Sequence, residues 1–239
     1  MKPAVILIGA DKGGVGKTTI SRAVLDYLAA RSIPARAFDT EAPRGALHRF
    51  HPNETTIVDI TETSDQMRIL DTLNDTLAKT TVIDVRAGML TETLKVLRDV
   101  GFLDAVNDGQ FTFVIIHVLG PSVSSLGEIA DIAPFVKDAH YYLAKNHIND
   151  TTFFEWDPKT YASYFGDVQC AGEITIPKLD EMAYEQVELN GVSFASFVDG
   201  KQGSFVLRGY VRTWMRSVAG ELDTIGLNTL IAPELRRIA

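Results

Sequence analysis

The chain has 239 residues, of which 46% are hydrophobic and 23% are charged, a balance typical of a soluble globular protein. Its formal net charge is −8, so any contact with nucleic acid would need a local basic patch rather than the overall field. The single cysteine, Cys170, cannot form an internal disulfide, and no apolar stretch approaches the ~20 residues of a membrane span, so a cytoplasmic location is expected.

Short apolar segments alternate with amphipathic ones along most of the chain. The fully apolar run at 4–9 is typical of a central parallel strand that is covered on both faces. Further strands are predicted at 35–38, 81–85, 111–119, 140–144 and 173–176. Helices are predicted at 18–31, 64–78, 91–100, 124–136, 179–189 and 205–222. This alternation predicts an α/β fold, a doubly wound and mostly parallel sheet with helices on both faces, and no linker divides residues 1–239 into two domains.

The loop after the first strand carries the strongest functional motif. It reads Asp11-Lys12-Gly13-Gly14-Val15-Gly16-Lys17-Thr18-Thr19. Glycines let successive N–H groups point into one concavity that binds phosphate oxygens, and the following helix start adds partial positive charge. In such a loop, Lys17 reaches the β- and γ-phosphates and the Thr18 hydroxyl is a ligand of Mg²⁺. The loop therefore predicts a site for ATP and Mg²⁺, lined by residues 11–19.

One departure from the usual P-loop points to a particular family. The usual pattern has a glycine where Asp11 stands, whereas the Lys-Gly-Gly-x-Gly-Lys-Thr form from Lys12 to Thr18 resembles the deviant P-loop of the ParA/MinD ATPases, which are P-loop NTPases of the SIMIBI type. The resemblance implies an ATP-dependent homodimer in which Lys12 reaches the nucleotide of the partner subunit. The alternative is a solvated loop lysine, although two ammonium groups suit the charge of one triphosphate.

Acidic residues at two strand ends match the family in part. Where the family has Asp-x-Asp, this chain has Asp39-Thr40-Glu41; the resemblance implies that Asp39 helps to organise the metal side and that Glu41, longer by one methylene, positions the attacking water. These acids are alternatively turn caps. Asp84 resembles the Walker B acid, which holds a water on Mg²⁺. Arg86 replaces the family's usual proline and is interpreted as an ion-pair partner, a γ-phosphate sensor or a solvated residue.

Weaker matches lie nearer the C-terminus. The family places an adenine-contacting asparagine at a strand end, and Asn146 stands at the matching position, although asparagine is also a common turn former. Ile176-Pro177 resembles the family's loop beside the base. The aromatic-rich stretch at 149–172 is either a satellite core under a loop or a surface for a partner.

The resemblance covers residues 2 to about 190 as ordered short matches, and it implies an ATPase that converts ATP and water to ADP and phosphate. In the family, a partner protein stimulates hydrolysis by a dimer that is bound to DNA or to a membrane. The implied roles are plasmid or chromosome partition, DNA transfer and intracellular positioning. The segment 44–47 after Glu41 also resembles plasmid stability and transfer ATPases of the StbB and TraL type.

A basic stripe is the candidate contact for DNA. Arg208, Arg212 and Arg216 are spaced four residues apart, which places them on one face of the last long helix. Such a stripe can bind phosphates without sequence preference, but it is more often a solvated face, and nearby Glu221 and Asp223 weaken its field. The final segment, 231–239, is too short and too weakly amphipathic to predict a membrane anchor.

Two other functions stay open from the sequence. A related ligase of the dethiobiotin synthetase type has a similar loop, but it needs a substrate-binding lysine after the second strand, and residues 39–50 contain none. A slowly hydrolysing, ATP-bound scaffold is the other alternative, because Glu41 replaces the family's aspartate. Redox and metal-carrier relatives use paired cysteines, which this chain lacks.

Overall fold

The computed structural model describes residues 2–73, 78–150, 152–154, 158–164, 168, 170–200 and 203–232. Seven strands lie within this part of the chain: β1 Ala4–Gly9, β2 Ala35–Asp39, β3 Thr55–Ile57, β4 Thr80–Asp84, β5 Thr112–Leu119, β6 His140–Asn146 and β7 Gly172–Ile176. They form one sheet in the order β3-β2-β4-β1-β5-β6-β7, and each neighbouring pair is parallel. The predicted α/β, doubly wound sheet is therefore confirmed.

Helices connect the strands and cover the sheet. They are α1 Lys17–Ala30, α2 Thr63–Leu70, α3 Leu90–Asp99, α4 Phe102–Asn107, α5 Val123–Ile132, α6 Pro158–Ser163, α7 Glu181–Asn190, α8 Phe194–Asp199, α9 Phe205–Thr224 and α10 Leu227–Ile231. Among the described residues, none of these helices combines the length and the apolar character that a membrane crossing requires.

The two faces of the sheet bury separate cores, and β1 contributes to both. Ala4, Ile6 and Ile8 pack with α1, α8, α9 and α10, whereas Val5 and Leu7 pack with α3 and α5. Successive side chains of a strand point to opposite faces, so an entirely apolar strand needs cover on both sides. Each buried valine, leucine or isoleucine side chain contributes about 1.5–3 kcal/mol by leaving water.

Several element boundaries differ from the sequence predictions for local reasons. Helix α7 begins at Glu181 and not at Leu179, because the Asp180 side chain accepts the Ala183 N–H at 3.0 Å and so forms an N-cap. Helix α5 ends at Ile132 rather than at Val136. Pro134 has no N–H to continue it, and the chain forms a 3₁₀ turn over Ala133–Phe135.

Four short elements have no counterpart in the sequence predictions. Strand β3 and helices α4, α8 and α10 have three to six residues each, which is too few to show a clear hydrophobic period. The helix predicted at 64–78 ends at Leu70, and residues 74–77 of that prediction lie outside the described residues. Strand β6 continues two residues beyond the prediction and ends at Asn146.

The aromatic-rich stretch is described in part. Phe154 is buried in the core on the α3 and α5 side, and Phe153 and Tyr164 pack against the same core. Trp156 and Phe165 lie outside the described residues, as does the side chain of Tyr161. The described aromatic rings therefore favour the satellite-core interpretation.

Candidate functional site

The carboxyl ends of four strands bring the candidate residues to one edge of the sheet. The phosphate loop follows β1, while Asp39, Asp84 and Asn146 are the last residues of β2, β4 and β6. Ligands of doubly wound sheets bind beyond this edge. The parallel topology therefore assembles a single candidate site from segments that are far apart in the sequence.

The phosphate loop has the curled backbone that its glycines predict. Gly14 and Gly16 have φ values of 73° and 91°, in the left-handed region that favours glycine. A Cβ on Gly16 would lie 2.2 Å from the Asn146 amide nitrogen, so this close approach also requires glycine. Helix α1 begins directly afterwards at Lys17, which directs its free N–H groups toward the loop.

Lys17 is buried beneath the loop, with 7% of its surface exposed. Its ammonium donates to the Lys12 carbonyl at 3.1 Å. Burial lowers the pKa of Lys17, and the charges of Asp84 and Glu128 oppose this effect. An anionic phosphate beside this ammonium would favour its charged form, which is the electrostatic arrangement that the sequence motif predicts.

Asp84 is an almost fully buried acid of the site, with 3% of its surface exposed. It accepts hydrogen bonds from the hydroxyls of Thr18 at 2.8 Å and Ser21 at 2.7 Å. Burial raises the pKa of Asp84 to about 7, against the effect of these hydroxyls. A nearby cation would favour the ionised carboxylate, so the pair of Thr18 and Asp84 fits a site for Mg²⁺.

This metal site would be incomplete without a nucleotide. Among the described residues, no group of three or more histidine, cysteine, aspartate or glutamate side chains is placed to hold a metal ion. Mg²⁺ is commonly bound by one or two protein ligands, substrate phosphates and water. The residues present therefore suit a cation that arrives with a phosphate ligand.

Asp39 is engaged by the backbone of the loop that follows it. Its Oδ1 accepts the Glu41 N–H at 3.0 Å, and its Oδ2 accepts the N–H groups of Leu47 at 2.6 Å and His48 at 3.2 Å. Asp39 thus shapes this loop, and Glu41 lines the cleft beside Asp84. The role of Asp39 on the metal side stays a prediction. In that role, Asp39 would act through its negative charge and through the shape that it gives to the loop.

Two adjoining clefts run along this edge. The first has a volume of about 320 Å³ and contains Lys17, Thr18, Asp39, Glu41 and Asp84. The second has a volume of about 360 Å³. Its side chains include Asn146, His147, Pro177, Tyr184 and Trp214. Both clefts share the residues Gly14, Gly16, Thr19 and Tyr184, so they form one groove. After the contacts that the sequence predicts, we call the first cleft its phosphate end and the second cleft its base end.

Asn146 lines the base end, but it also serves the phosphate loop. Its amide nitrogen donates to the Val15 carbonyl at 2.6 Å, and the side chain is almost fully buried. The predicted contact with adenine stays a prediction. The structure adds a role that the strand-end position alone did not indicate, which is to hold the loop against β6.

Two residues of the predicted nucleotide site turn their side chains elsewhere. Asp11 accepts the Leu90 N–H at 2.7 Å and the Thr91 hydroxyl at 2.5 Å, so it caps the start of α3. Lys12 donates to the hydroxyls of Ser122 at 2.5 Å and Ser124 at 2.6 Å, at the start of α5. Neither side chain lines the phosphate end of the groove.

Sequence reasoning missed several polar partners. Ser21 binds Asp84, and the Thr40 hydroxyl joins the ends of β2 and β4 by donating to the Asp84 carbonyl at 3.2 Å and accepting the Arg86 N–H at 2.8 Å. Tyr184 lines both clefts. Ser21 follows Lys17 by one helical turn, which is the one local signal among these residues.

The arginine stripe lies where the helical spacing predicts. On α9, Arg212 and Arg216 are exposed, and Arg208 donates to the Gly203 carbonyl at 3.0 Å. The opposite face of α9 is buried, through Val211, Trp214, Val218 and Leu222. The predicted amphipathic helix is therefore confirmed, and its basic face is open to solvent at two of three positions.

Comparisons with known proteins identify the fold. No protein-family model matches the sequence, and no curated protein sequence matches it. The fold is similar to the septum site-determining protein MinD of Pyrococcus horikoshii OT3 complexed with Mg-ADP, at a TM-score of 0.58 and 15% identity, over 95% of this chain and 98% of that one.

Two further solved structures are similar over most of their length. One is a protein assigned to plasmid partition in Borrelia burgdorferi B31, bound to AMPPNP, with a TM-score of 0.54, 13% identity and coverage of 95% of this chain and 100% of that one. The other is a chain of the MinC:MinD cell division protein complex of Aquifex aeolicus, with a TM-score of 0.53, 16% identity and coverage of 91% of this chain and 96% of that one. At these identities, the likeness shows that the chain has the fold of MinD-like P-loop proteins.

Proposed function

We propose that this chain, which has the fold of MinD-like P-loop proteins, is an ATPase of the ParA/MinD type that dimerises when it binds ATP. One observation carries the proposal: the curled loop after β1 places the buried Lys17 in a groove with Glu41 and Asp84. The solved structures of similar fold that are described as complexed with Mg-ADP or bound to AMPPNP add support for a nucleotide as the ligand.

The residues of the groove have separate roles in phosphoryl transfer. The loop N–H groups and Lys17 bind the triphosphate and stabilise the negative charge that spreads over the transferred group. Thr18 and Asp84 would hold Mg²⁺, which supplies charge neutralisation of the phosphates when it is bound. Glu41 orients the attacking water, and its extra methylene gives it reach from the end of β2.

Lys12 supports the dimer in this proposal. Its ammonium is bound by Ser122 and Ser124 and not by the groove of its own chain. The Lys12 side chain therefore does not line the nucleotide groove of its own chain. We propose that it serves the nucleotide of a second copy in a closed homodimer, as the resemblance of the loop implies.

The oligomeric state tests this function directly. With Mg²⁺ and a non-hydrolysable ATP analogue, we expect a dimer by size-exclusion chromatography with light scattering, and we expect a monomer with ADP. Lys12→Ala should bind the analogue and stay monomeric, whereas the control Lys95→Ala, at a half-buried lysine that pairs with Glu92, should dimerise like the wild type. A monomer under all conditions would contradict the proposal, and a dimer that releases no phosphate from ATP would favour the ATP-bound scaffold instead.

The cellular role is proposed at the level of a class. We propose a cytoplasmic role in plasmid or chromosome partition, DNA transfer or intracellular positioning, with a partner protein that stimulates hydrolysis. The exposed positions of Arg212 and Arg216 support contact between α9 and DNA phosphates.

DNA binding checks the proposed role of this stripe. We expect the ATP-bound wild type to bind short double-stranded DNA without sequence preference, and we expect its DNA affinity to fall as the salt concentration rises. Fluorescence anisotropy measures this affinity. The triple variant Arg208→Ala, Arg212→Ala and Arg216→Ala should dimerise normally and bind DNA at least tenfold more weakly. If this variant binds like the wild type, the stripe is a solvated face.

A further inference from the structure

A buried carboxylate outside the predicted site binds the start of the phosphate loop. Glu128 lies on α5, and its Oε2 and Oε1 accept the backbone N–H groups of Asp11 and Lys12, each at 2.7 Å. One side chain thus holds two consecutive peptide groups of the loop. Hydrogen bonds with a carboxylate acceptor are stronger than neutral ones, particularly away from water.

Glu128 is itself held by side chains behind it. His117, fully buried on β5, has its Nε2 3.3 Å from Glu128 Oε2 and its Nδ1 2.9 Å from the Tyr141 hydroxyl on β6. If Tyr141 donates to Nδ1 and the Nε2–H donates to the carboxylate, a neutral imidazole satisfies each contact. The carboxylate therefore has a fixed position relative to the central strands.

The same segment of the chain also binds the side chain of Lys12. Its ammonium donates to Ser122 and Ser124, which precede Glu128 by one to two helical turns. Residues 122–128 consequently hold Lys12 at both ends, at its peptide N–H and at its ammonium. The ammonium can leave the half-buried Ser122 hydroxyl and the exposed Ser124 hydroxyl by rotation of its side chain, whereas the peptide stays bound to the buried carboxylate.

We propose that Glu128 is a positioning residue that fixes the origin of the Lys12 side chain, so that its ammonium reaches a nucleotide in a second copy. This inference rests on the proposed function, since it concerns a step that needs Lys12 in a dimer. A substitution of Glu128 would also lower kcat if it loosened the whole loop, because the Lys12 carbonyl accepts a hydrogen bond from Lys17. This general effect competes with the positioning role. ADP binding to the monomer reports on that general effect.

A double-mutant cycle distinguishes the two effects. We would measure kcat for ATP hydrolysis in the wild type, Glu128→Gln, Lys12→Ala and the double variant, with ADP affinity by calorimetry and the exposed Glu92→Gln as the matched control. We expect Glu128→Gln to lower kcat roughly tenfold or more, with ADP affinity changed less than threefold. In the Lys12→Ala background, whose residual kcat is measured at high enzyme concentration, the same substitution should have almost no further effect on kcat.

Each other outcome has a defined meaning. Equal losses of kcat in both backgrounds, or a loss of ADP affinity as large as the loss of kcat, would overturn the positioning role. A wild type that neither hydrolyses ATP nor dimerises would instead overturn the proposed function. If Glu128→Gln does not fold, Glu128→Asp carries the test, because its shorter carboxylate cannot keep both backbone hydrogen bonds.

Discussion

Lys17→Ala is expected to abolish measurable ATP hydrolysis and to weaken ADP binding at least tenfold. The ammonium of Lys17 is buried under the loop and faces the phosphate end of the groove, and no other lysine side chain of the described residues lines that end. Removal of one preorganised group that stabilises transition-state charge lowers kcat by about 10²–10³-fold. Phosphate release measures the rate, and calorimetry measures the affinity.

A thermal shift separates lost binding from lost folding. A ligand at a hundred times its Kd stabilises the folded state by about 2.7 kcal/mol, so Mg-ADP should raise the Tm of the wild type. It should raise the Tm of Lys17→Ala much less. Lys95→Ala, at a lysine outside the groove, is the control, and it should behave like the wild type in each assay. Wild-type activity in Lys17→Ala would refute the assignment of the groove as the catalytic site.

Asp84→Asn is expected to lower kcat by about 10²-fold and to increase the Mg²⁺ concentration needed for half-maximal activity. The amide keeps the size of the side chain and can still accept from Thr18 or Ser21, but it removes the charge that favours a cation. ATPase assays across a Mg²⁺ series check both effects. An unchanged Mg²⁺ requirement would contradict the metal role of Asp84.

The stability of Asp84→Asn should change in the opposite direction to its activity. Burial raises the pKa of Asp84 to about 7, so the folded state holds this proton more tightly than the unfolded chain does. The resulting stability is lost as pH rises toward and through this pKa. In alkaline buffer without nucleotide, the neutral amide avoids the cost of burying the ionised carboxylate. The variant should therefore melt no lower than the wild type, measured by calorimetry or circular dichroism.

The parts of the site that the sequence predicts are those with local signals. The apolar run of β1, the glycine spacing and the start of α1 lie within one short segment, so the strand, loop and helix follow from neighbouring residues. Asp39 and Asp84 each end a predicted strand, and a parallel sheet brings such ends together. Local pattern and topology therefore place these residues at one edge of the sheet, whereas their roles are implied by the family resemblance.

The remaining contacts depend on residues that no local pattern joins. Glu128 binds peptide groups 116 and 117 positions earlier in the chain, and Asp11 caps a helix 79 positions later. An isolated glutamate on an amphipathic helix is ordinarily solvated, so its burial appears only when α5 packs against β5. The motif predicts that Asp11 binds nucleotide, which stays a prediction, and no local pattern indicates that its side chain also caps α3.

The contact between Asn146 and the loop has a consequence for how a ligand is captured. Because Asn146 holds the Val15 carbonyl at 2.6 Å and lies against Gly16, folding of the sheet has already restricted the loop before any nucleotide arrives. Little conformational entropy is then lost at the encounter, and more of the interaction energy appears as affinity. The groove behaves as a rigid template, whose recognition depends on fit rather than on closure of a disordered segment.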